Sequence, residues 1–239
     1  MNHAFTIAGK EFRTYFKTPV AYVFLVVFLG FVGWNFFFNP DYFTTGEASM
    51  RNFFGMLPMV FLFLAPAVSM KMWAEERKIG TIETLMTMPM REHEIVLGKF
   101  LAALGLITVA LVLTFPTAVI VSFTAASSVD LGPIIGGYVA ALLMGGAYLA
   151  IGLFASALTE SQIVAFIVGA VICVLMILIG VEGFVALLPK GVAETCVNLS
   201  LISHFENIQR GVLDSRDLLY YASVLTFFLM LNVAAARRR

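Results

Sequence analysis

A chain of 239 residues would make one or two ordinary domains, but 60 % of it is AVILMFWYC and only 13 % is charged. Soluble domains carry roughly a quarter charged residues, and a soluble fold of this size would have too few polar groups to cover its surface. Fifteen basic and fifteen acidic residues cancel, so net charge points to no partner; disorder, nucleic-acid binding and a secreted disulfide scaffold are excluded, and an all-α integral membrane protein with mean hydropathy +0.94 remains.

The chain begins with an amphipathic segment. Phe5, Ala8, Phe12, Tyr15 and Phe16 recur at helical spacing, with Lys10, Arg13, Thr14 and Lys17 on the other side. Residues 1–19 therefore read as a cytoplasmic helix lying in the membrane interface, ended by Pro19. The rest, 20–239, is a membrane domain. Crossing the hydrocarbon core takes about 20 helical residues, and six apolar runs meet that need: Val20–Phe38, Met56–Met72, Leu97–Phe123, Ile134–Leu158, Ile163–Leu188 and Leu218–Ala236. The first is too long for a signal-peptide core and is followed by Asn39-Pro40 rather than a cleavage site, so it reads as a retained span. Pro58 and Pro66 in the second and Pro116 in the third each remove a backbone hydrogen bond and predict kinks.

Lys and Arg fix the orientation. With the N-terminus cytoplasmic, eleven of them (Lys10, Arg13, Lys17, Lys71, Arg77, Lys78, Arg91, Lys99 and Arg237 to Arg239) lie inside and four (Arg51, Lys190, Arg210, Arg216) outside. That asymmetry predicts a multi-pass protein of the inner (plasma) membrane with both termini cytoplasmic, which requires an even number of spans.

The stretch from Lys71 to Lys99 is polar. Gly80 breaks the preceding helix, Thr81 can cap the next, and Glu83 sits in its first turn, where a carboxylate suits the helix dipole. Ile82, Leu85 and Met86 form an apolar edge before Pro89 stops the helix. Further along, the pairs Ala141/Gly145, Gly146/Ala150 and Gly152/Ser156 in span four, and Ala165/Gly169 in span five, permit close helix approach in lipid. The short turn Thr159-Glu160-Ser161-Gln162 makes those two spans a hairpin.

Motifs for chemistry are missing. There is no Gly-x-x-x-x-Gly-Lys-Ser/Thr phosphate loop, no His-Glu-x-x-His and no Gly-x-Ser-x-Gly, so no catalytic residue is assigned. His3, His93 and His204 are widely separated, Cys173 and Cys196 lack zinc-site companions, and the twelve methionines read as core filling, so no metal ligand is assigned. Inside the proposed spans the one carboxylate is Glu182, toward the outer end of the fifth. Proton and sodium relays use carboxylates near the midplane, so the energy source is expected on another chain.

Two stretches carry a family resemblance. The first is Ala74-Glu75-Glu76-Arg77-Lys78-Ile79-Gly80-Thr81-Ile82-Glu83-Thr84-Leu85, then Pro89, then Glu94-Ile95-Val96-Leu97-Gly98-Lys99. It resembles the signature of type-2 ABC exporter permeases. The second, Ile202-Ser203-His204-Phe205 with Arg210-Gly211-Val212-Leu213-Asp214, Arg216-Asp217, Tyr220 and Phe227-Phe228-Leu229, resembles the branch of gliding-motility permeases. The resemblance implies a non-enzymatic permease subunit that moves substrate by alternating access. It carries no cofactor of its own; a separate cytosolic ABC ATPase dimer holds ATP and Mg. Other implied partners are a second copy or a homologous permease, an accessory membrane subunit with an external domain, and membrane lipids.

The resemblance also assigns places. The N-terminal helix becomes the connecting helix. Residues 81–88 become the cytoplasmic coupling helix, with Thr81, Ile82, Glu83, Thr84, Leu85 and Met86 contacting the ATPase. Glu75, Glu76, Arg77 and Gly80 become the junction between the two. Residues 184–217 become an external re-entrant segment between spans five and six, containing His204, Phe205, Arg210 and Gly211. Pro66, Ala165 and Gly169 become candidates for lining the route. A permease for copper-enzyme maturation and a non-transporting scaffold that couples ATP hydrolysis to an external protein partner are the alternative functions.

Overall fold

The structure is a computed structural model that describes residues 2–38, 50–82, 90–124 and 131–237. It is helical, with no strand among the described residues. In chain order the helices are α1 (Asn2–Lys17), α2 (Pro19–Phe38), α3 (Arg51–Ser69), α4 (Lys71–Ile79), α5 (Glu92–Leu113), α6 (Phe115–Thr124), α7 (Leu131–Ala157), α8 (Gln162–Leu178), α9 (Glu182–Val185), α10 (Lys190–Leu199), α11 (Leu201–Gln209) and α12 (Ser215–Arg237).

Helix α7 is the hub. It runs for 27 residues, roughly 40 Å at 1.5 Å per residue, and α3, α4, α5, α8, α11 and α12 all touch it. Its small residues make this possible. A Cβ on Gly136 would overlap the carbonyl of Ile208, one on Gly137 the ring of Phe54, and one on Gly152 the hydroxyl of Ser69. The turn after Ala157 returns the chain along α7 as α8. There a Cβ on Gly169 would meet the Cα of Gly152 at 3.3 Å, so the small residues of spans four and five close a hairpin within one protomer.

Helix α1 lies along α5. A Cβ on Gly98 would approach Ile7 Cβ to 2.7 Å, and one on Gly105 the Phe12 ring to 3.2 Å. These glycines, two turns apart on one face of α5, form the trough in which α1 rests. The inward face of α1 follows the periodic stripe except at its first member: Tyr15 and Phe16 pack on the core with Ile7, Phe12 lies against Gly105 and Ala4 is buried, while Phe5 is 64 % exposed.

The spans differ from the apolar runs in three places. Among the described residues, five helical stretches are long and apolar enough to cross a membrane: Pro19–Phe36, Arg51–Ile79, Glu92–Ile120, Leu131–Ala157 and Ser215–Arg237. The fifth run, Ile163–Leu188, is not one helix. Its helix α8 has 17 residues, roughly 25 Å against a core of about 30 Å, and Glu182 lies beyond its end. The chain turns at Gly180 because α10 and α11 return there; a Cβ on Gly180 would overlap the Ser200 hydroxyl.

The second difference is at Pro116, where the third run divides into α5 and α6. Thr114 sits at the division, its hydroxyl donating to the Leu111 carbonyl at 2.7 Å and meeting Tyr138 Oη at 3.2 Å. The third is the second run, whose helix α3 passes through both Pro58 and Pro66 and divides only at Met70. The outer faces are apolar: Val26, Trp34, Ile163 and Met230 are each at least 65 % exposed.

Candidate functional site

One end of the bundle gathers α1, α4, the start of α5 and the end of α12 around a buried lysine. Lys99 lies in the second turn of α5 and is 2 % exposed. Its Nζ is 2.5 Å from Glu76 Oε1 on α4, 2.9 Å from the carbonyl of Met72, and 3.6 Å from Glu11 Oε1 on α1. It also stands 5.0 Å from the centroid of the buried Trp73 ring, a cation–π contact. An ammonium withdrawn from water persists only when paired and hydrogen-bonded. Lys99 meets that condition with groups from two other helices, so it fixes α1, α4 and α5 to one another.

A serine on α7 controls the division between α3 and α4. Ser156 Oγ donates to the Met70 carbonyl at 2.8 Å and accepts from the Trp73 and Ala74 N–H groups, each at 3.1 Å. A hydroxyl has one proton and two lone pairs, and all three are in use. The first turn of α4 is thus capped by a helix more than eighty residues away in sequence.

Past Trp73 the junction residues diverge. Glu76 faces Lys99, and Glu75 is exposed. Arg77 donates from Nη2 to the Ala235 carbonyl at 3.2 Å, placing a cation at the C-terminal turn of α12, where the helix dipole favours it. Glu92 pairs with Arg237 of that same turn. Gly80 takes φ +78°, with its N–H 3.2 Å from the Arg77 carbonyl, a left-handed helix end that glycine adopts without strain. Thr81 is exposed and Ile82 packs back on the core. Glu83, Thr84, Leu85 and Met86, the rest of the expected coupling helix, lie outside the described residues.

Two cavities adjoin the junction. A polar one of about 270 Å³ lies beside α1 and α4, and an apolar one of about 370 Å³ lies between α2 and α3. Tyr15 lines the first; burial, with Glu11 beside it, pushes its phenol well above the ordinary value, so it stays a neutral hydroxyl.

The opposite end of the bundle holds the folded-back segment. Ser200 caps α11, accepting from the Ile202 N–H at 3.3 Å. His204 Nδ1 is 2.5 Å from Asp217 Oδ1 in the first turn of α12, and its Nε2 is 3.0 Å from the Asn198 carbonyl. A carbonyl only accepts, so Nε2 donates there, and Nδ1 faces the Asp217 carboxyl. Tyr220 stacks on the imidazole at 3.9 Å and donates to the Leu199 carbonyl at 2.5 Å. Tyr221 donates to the Leu201 carbonyl at 2.8 Å, and Arg216 to Asn198 Oδ1 at 2.8 Å. Phe205 is buried. Arg210 is exposed and 3.9 Å from Glu206. Gly211 takes φ +87° against the backbone of Gly132 and Pro133.

The third set of candidates sits elsewhere. Pro66, Ala165 and Gly169 are all buried in the contact of α3, α7 and α8, where a Cβ on Gly169 would meet Ala155 and Pro66 at 3.5 Å.

Spacing did not single out Lys99, Ser156 and Asp217 as site residues. Lys99 and Asp217 lie within the two quoted stretches, and Ser156 stands in a small-residue pair. The matched sequence family is described as ABC-2 family transporter protein, and the match covers residues 5–232. No curated protein matches the chain.

Proposed function

Because the chain belongs to the ABC-2 transporter family and is accordingly a multi-pass membrane permease component of an ABC transporter, we propose that it is the permease subunit of an ATP-driven exporter. Two such subunits assemble on a cytosolic ATPase dimer. Residues 81–88 seat in the ATPase, six spans cross the inner membrane with both termini cytoplasmic, and ATP-driven closure switches the central route between its two sides. The Lys99–Glu76 pair carries this reading. It joins the two halves of the first resembling stretch, Glu76 before residues 81–88 in sequence and Lys99 after them, so a push on that segment reaches α1, α4 and α5 together.

Arg77 and the Glu92–Arg237 pair extend the junction to α12. Within the family we place the chain with the gliding-motility branch; the His204, Asp217 and Tyr220 contacts, drawn from the second stretch, support that placement. Pro66, Ala165 and Gly169 stand beside the route as the packing that lets α3 and α8 move against α7.

The test is co-purification of this chain with the ABC ATPase proposed as its partner. Ile82→Asp/Leu85→Asp should release the ATPase while leaving the membrane domain folded. Glu75→Ala and Arg77→Ala should keep it bound but uncouple hydrolysis from transport in vesicles. Undiminished ATPase association with the double variant would refute docking through this loop. For orientation, single cysteines at Glu47 and Glu194 should react with an impermeant reagent from outside, and cysteines at Glu92 and Arg238 should not.

A further inference from the structure

The polar and apolar cavities beside the junction share a boundary: Val20 and Lys71 line both. On the apolar side the walls are Val23, Val27, Leu64 and Val68, with Lys71 the one charged residue. On the polar side three carboxylates, Glu11, Glu75 and Glu76, face two ammonium groups, Lys71 and Lys99. Lys99 is held by Glu76, Glu11 and the Met72 carbonyl. The combined space is therefore an apolar slot, then the boundary lysine Lys71, then three carboxylates against one further ammonium, that of Lys99.

That order matches the order of groups along one kind of molecule. An acyl chain fits the slot, a phosphate suits Lys71, and an ammonium suits the carboxylates beyond. Lys71 and Glu75 are four apart on α4, hence neighbours on one helix face at about 5–6 Å between Cβ atoms, a gap that a two-carbon phosphate-to-amine headgroup bridges. Tyr15 Oη and Glu76 Oε2 are enclosed and have no hydrogen-bond partner. Both side chains line the polar cavity, and such groups are normally satisfied. A primary ammonium supplies three donors; a quaternary amine supplies none, and a headgroup with net negative charge meets the excess carboxylate.

We propose that this continuous groove binds one phospholipid with a primary-amine headgroup, its tail between α2 and α3 and its head beneath α1. The assignment rests on the reading that α2 and α3 lie in a bilayer. The head then sits against the Glu76–Lys99 pair, so lipid occupancy stiffens the junction through which the ATPase would act.

The full chain, purified in non-ionic detergent without any ATPase, is incubated with dioleoyl phosphatidylethanolamine, phosphatidylcholine or phosphatidylglycerol, and bound lipid is counted by native mass spectrometry. One ethanolamine lipid per chain should survive activation that strips the other two. Val23→Trp, which fills the slot from its exposed side, should weaken retention roughly tenfold or more. Val26→Trp, on the same helix but outside the groove, should leave retention intact. Glu75→Gln should abolish the preference for ethanolamine over choline.

Equal retention of all three lipids would overturn the headgroup assignment, and equal behaviour of the two tryptophan variants would overturn the slot. Full competition by soluble phosphoethanolamine would overturn the role of the tail. The ATPase is absent throughout, so failure here is separate from failure of the co-purification test.

Discussion

Replacing Lys99 with methionine keeps the stem and removes the charge, which isolates the ion pair at the junction. The cost follows from what is left behind. Glu76 remains beneath α1 without its paired ammonium, and the Met72 carbonyl loses a donor at 2.9 Å. Removing one partner of a buried pair costs about 3–5 kcal/mol. Glu76 keeps 25 % of its side chain exposed, which sets the expectation at the lower end, ~3 kcal/mol. For a chain of this length a kcal/mol shifts Tm by about 2–4 °C, so the fall should be roughly 6–12 °C. Tryptophan fluorescence during thermal unfolding in detergent is a suitable assay, because Trp73 stands against Lys99.

The decisive comparison is Lys99→Met/Glu76→Leu. Exchanging a whole buried ion pair for apolar groups is often neutral or stabilising, so the double variant should recover most of the loss. Glu11→Ala should cost less than about 1 kcal/mol, because that carboxylate is 3.6 Å away and 30 % exposed. A double variant no more stable than Lys99→Met would refute the pair as the element that joins these helices.

Three further outcomes follow from the packing. Ser156→Ala should strand the Trp73 and Ala74 N–H groups, at about 1–3 kcal/mol for each buried donor, seen as a lower Tm; an unchanged Tm would mean that α4 satisfies its own first turn. Gly169→Leu forces a side chain between Gly152 and Pro66 and should reduce folded yield on size-exclusion chromatography, through overpacking of about 1–3 kcal/mol; normal yield with lost transport would place this seam on the route itself. His204→Ala leaves Asp217 buried beside no ring N–H, so amide exchange in α10 and α11 should accelerate while that of α7 stays slow; unchanged exchange would show that Tyr220 and Tyr221 suffice to hold the segment.

Hydrophobic pattern located α1 and the helices within the six apolar runs but missed the exposure of Phe5 and where helices stop, and both failures have one physical source. In water an apolar residue has one good destination, the core, so periodicity reports the buried face. In a bilayer it has two, so α1 can leave Phe5 exposed while Ala4 is buried and Ile7 packs on the core. Likewise the run Ile163–Leu188 stays apolar across the point where α8 ends, because a chain folding back on its own bundle need not become polar. What ends the helix is a tertiary contact, Gly180 against Ser200, which hydropathy does not register. Local backbone chemistry was more legible. Gly80 marks a helix end from sequence alone, and its φ of +78° is what that role needs.

The charged groups show the same limit from the other side. Lys99 reads as a loop cation when counted along the chain, since it borders a polar stretch. Its depth is set by α1 crossing over it and by Glu76 arriving from 23 residues earlier. His204 and Asp217 are 13 residues apart across a break between two helices, a spacing that no helical period favours. Paired charges in an apolar protein are therefore found by asking which motif residues lack a local partner. Each must have a distant one, because burial without it costs more than a marginally stable fold can absorb.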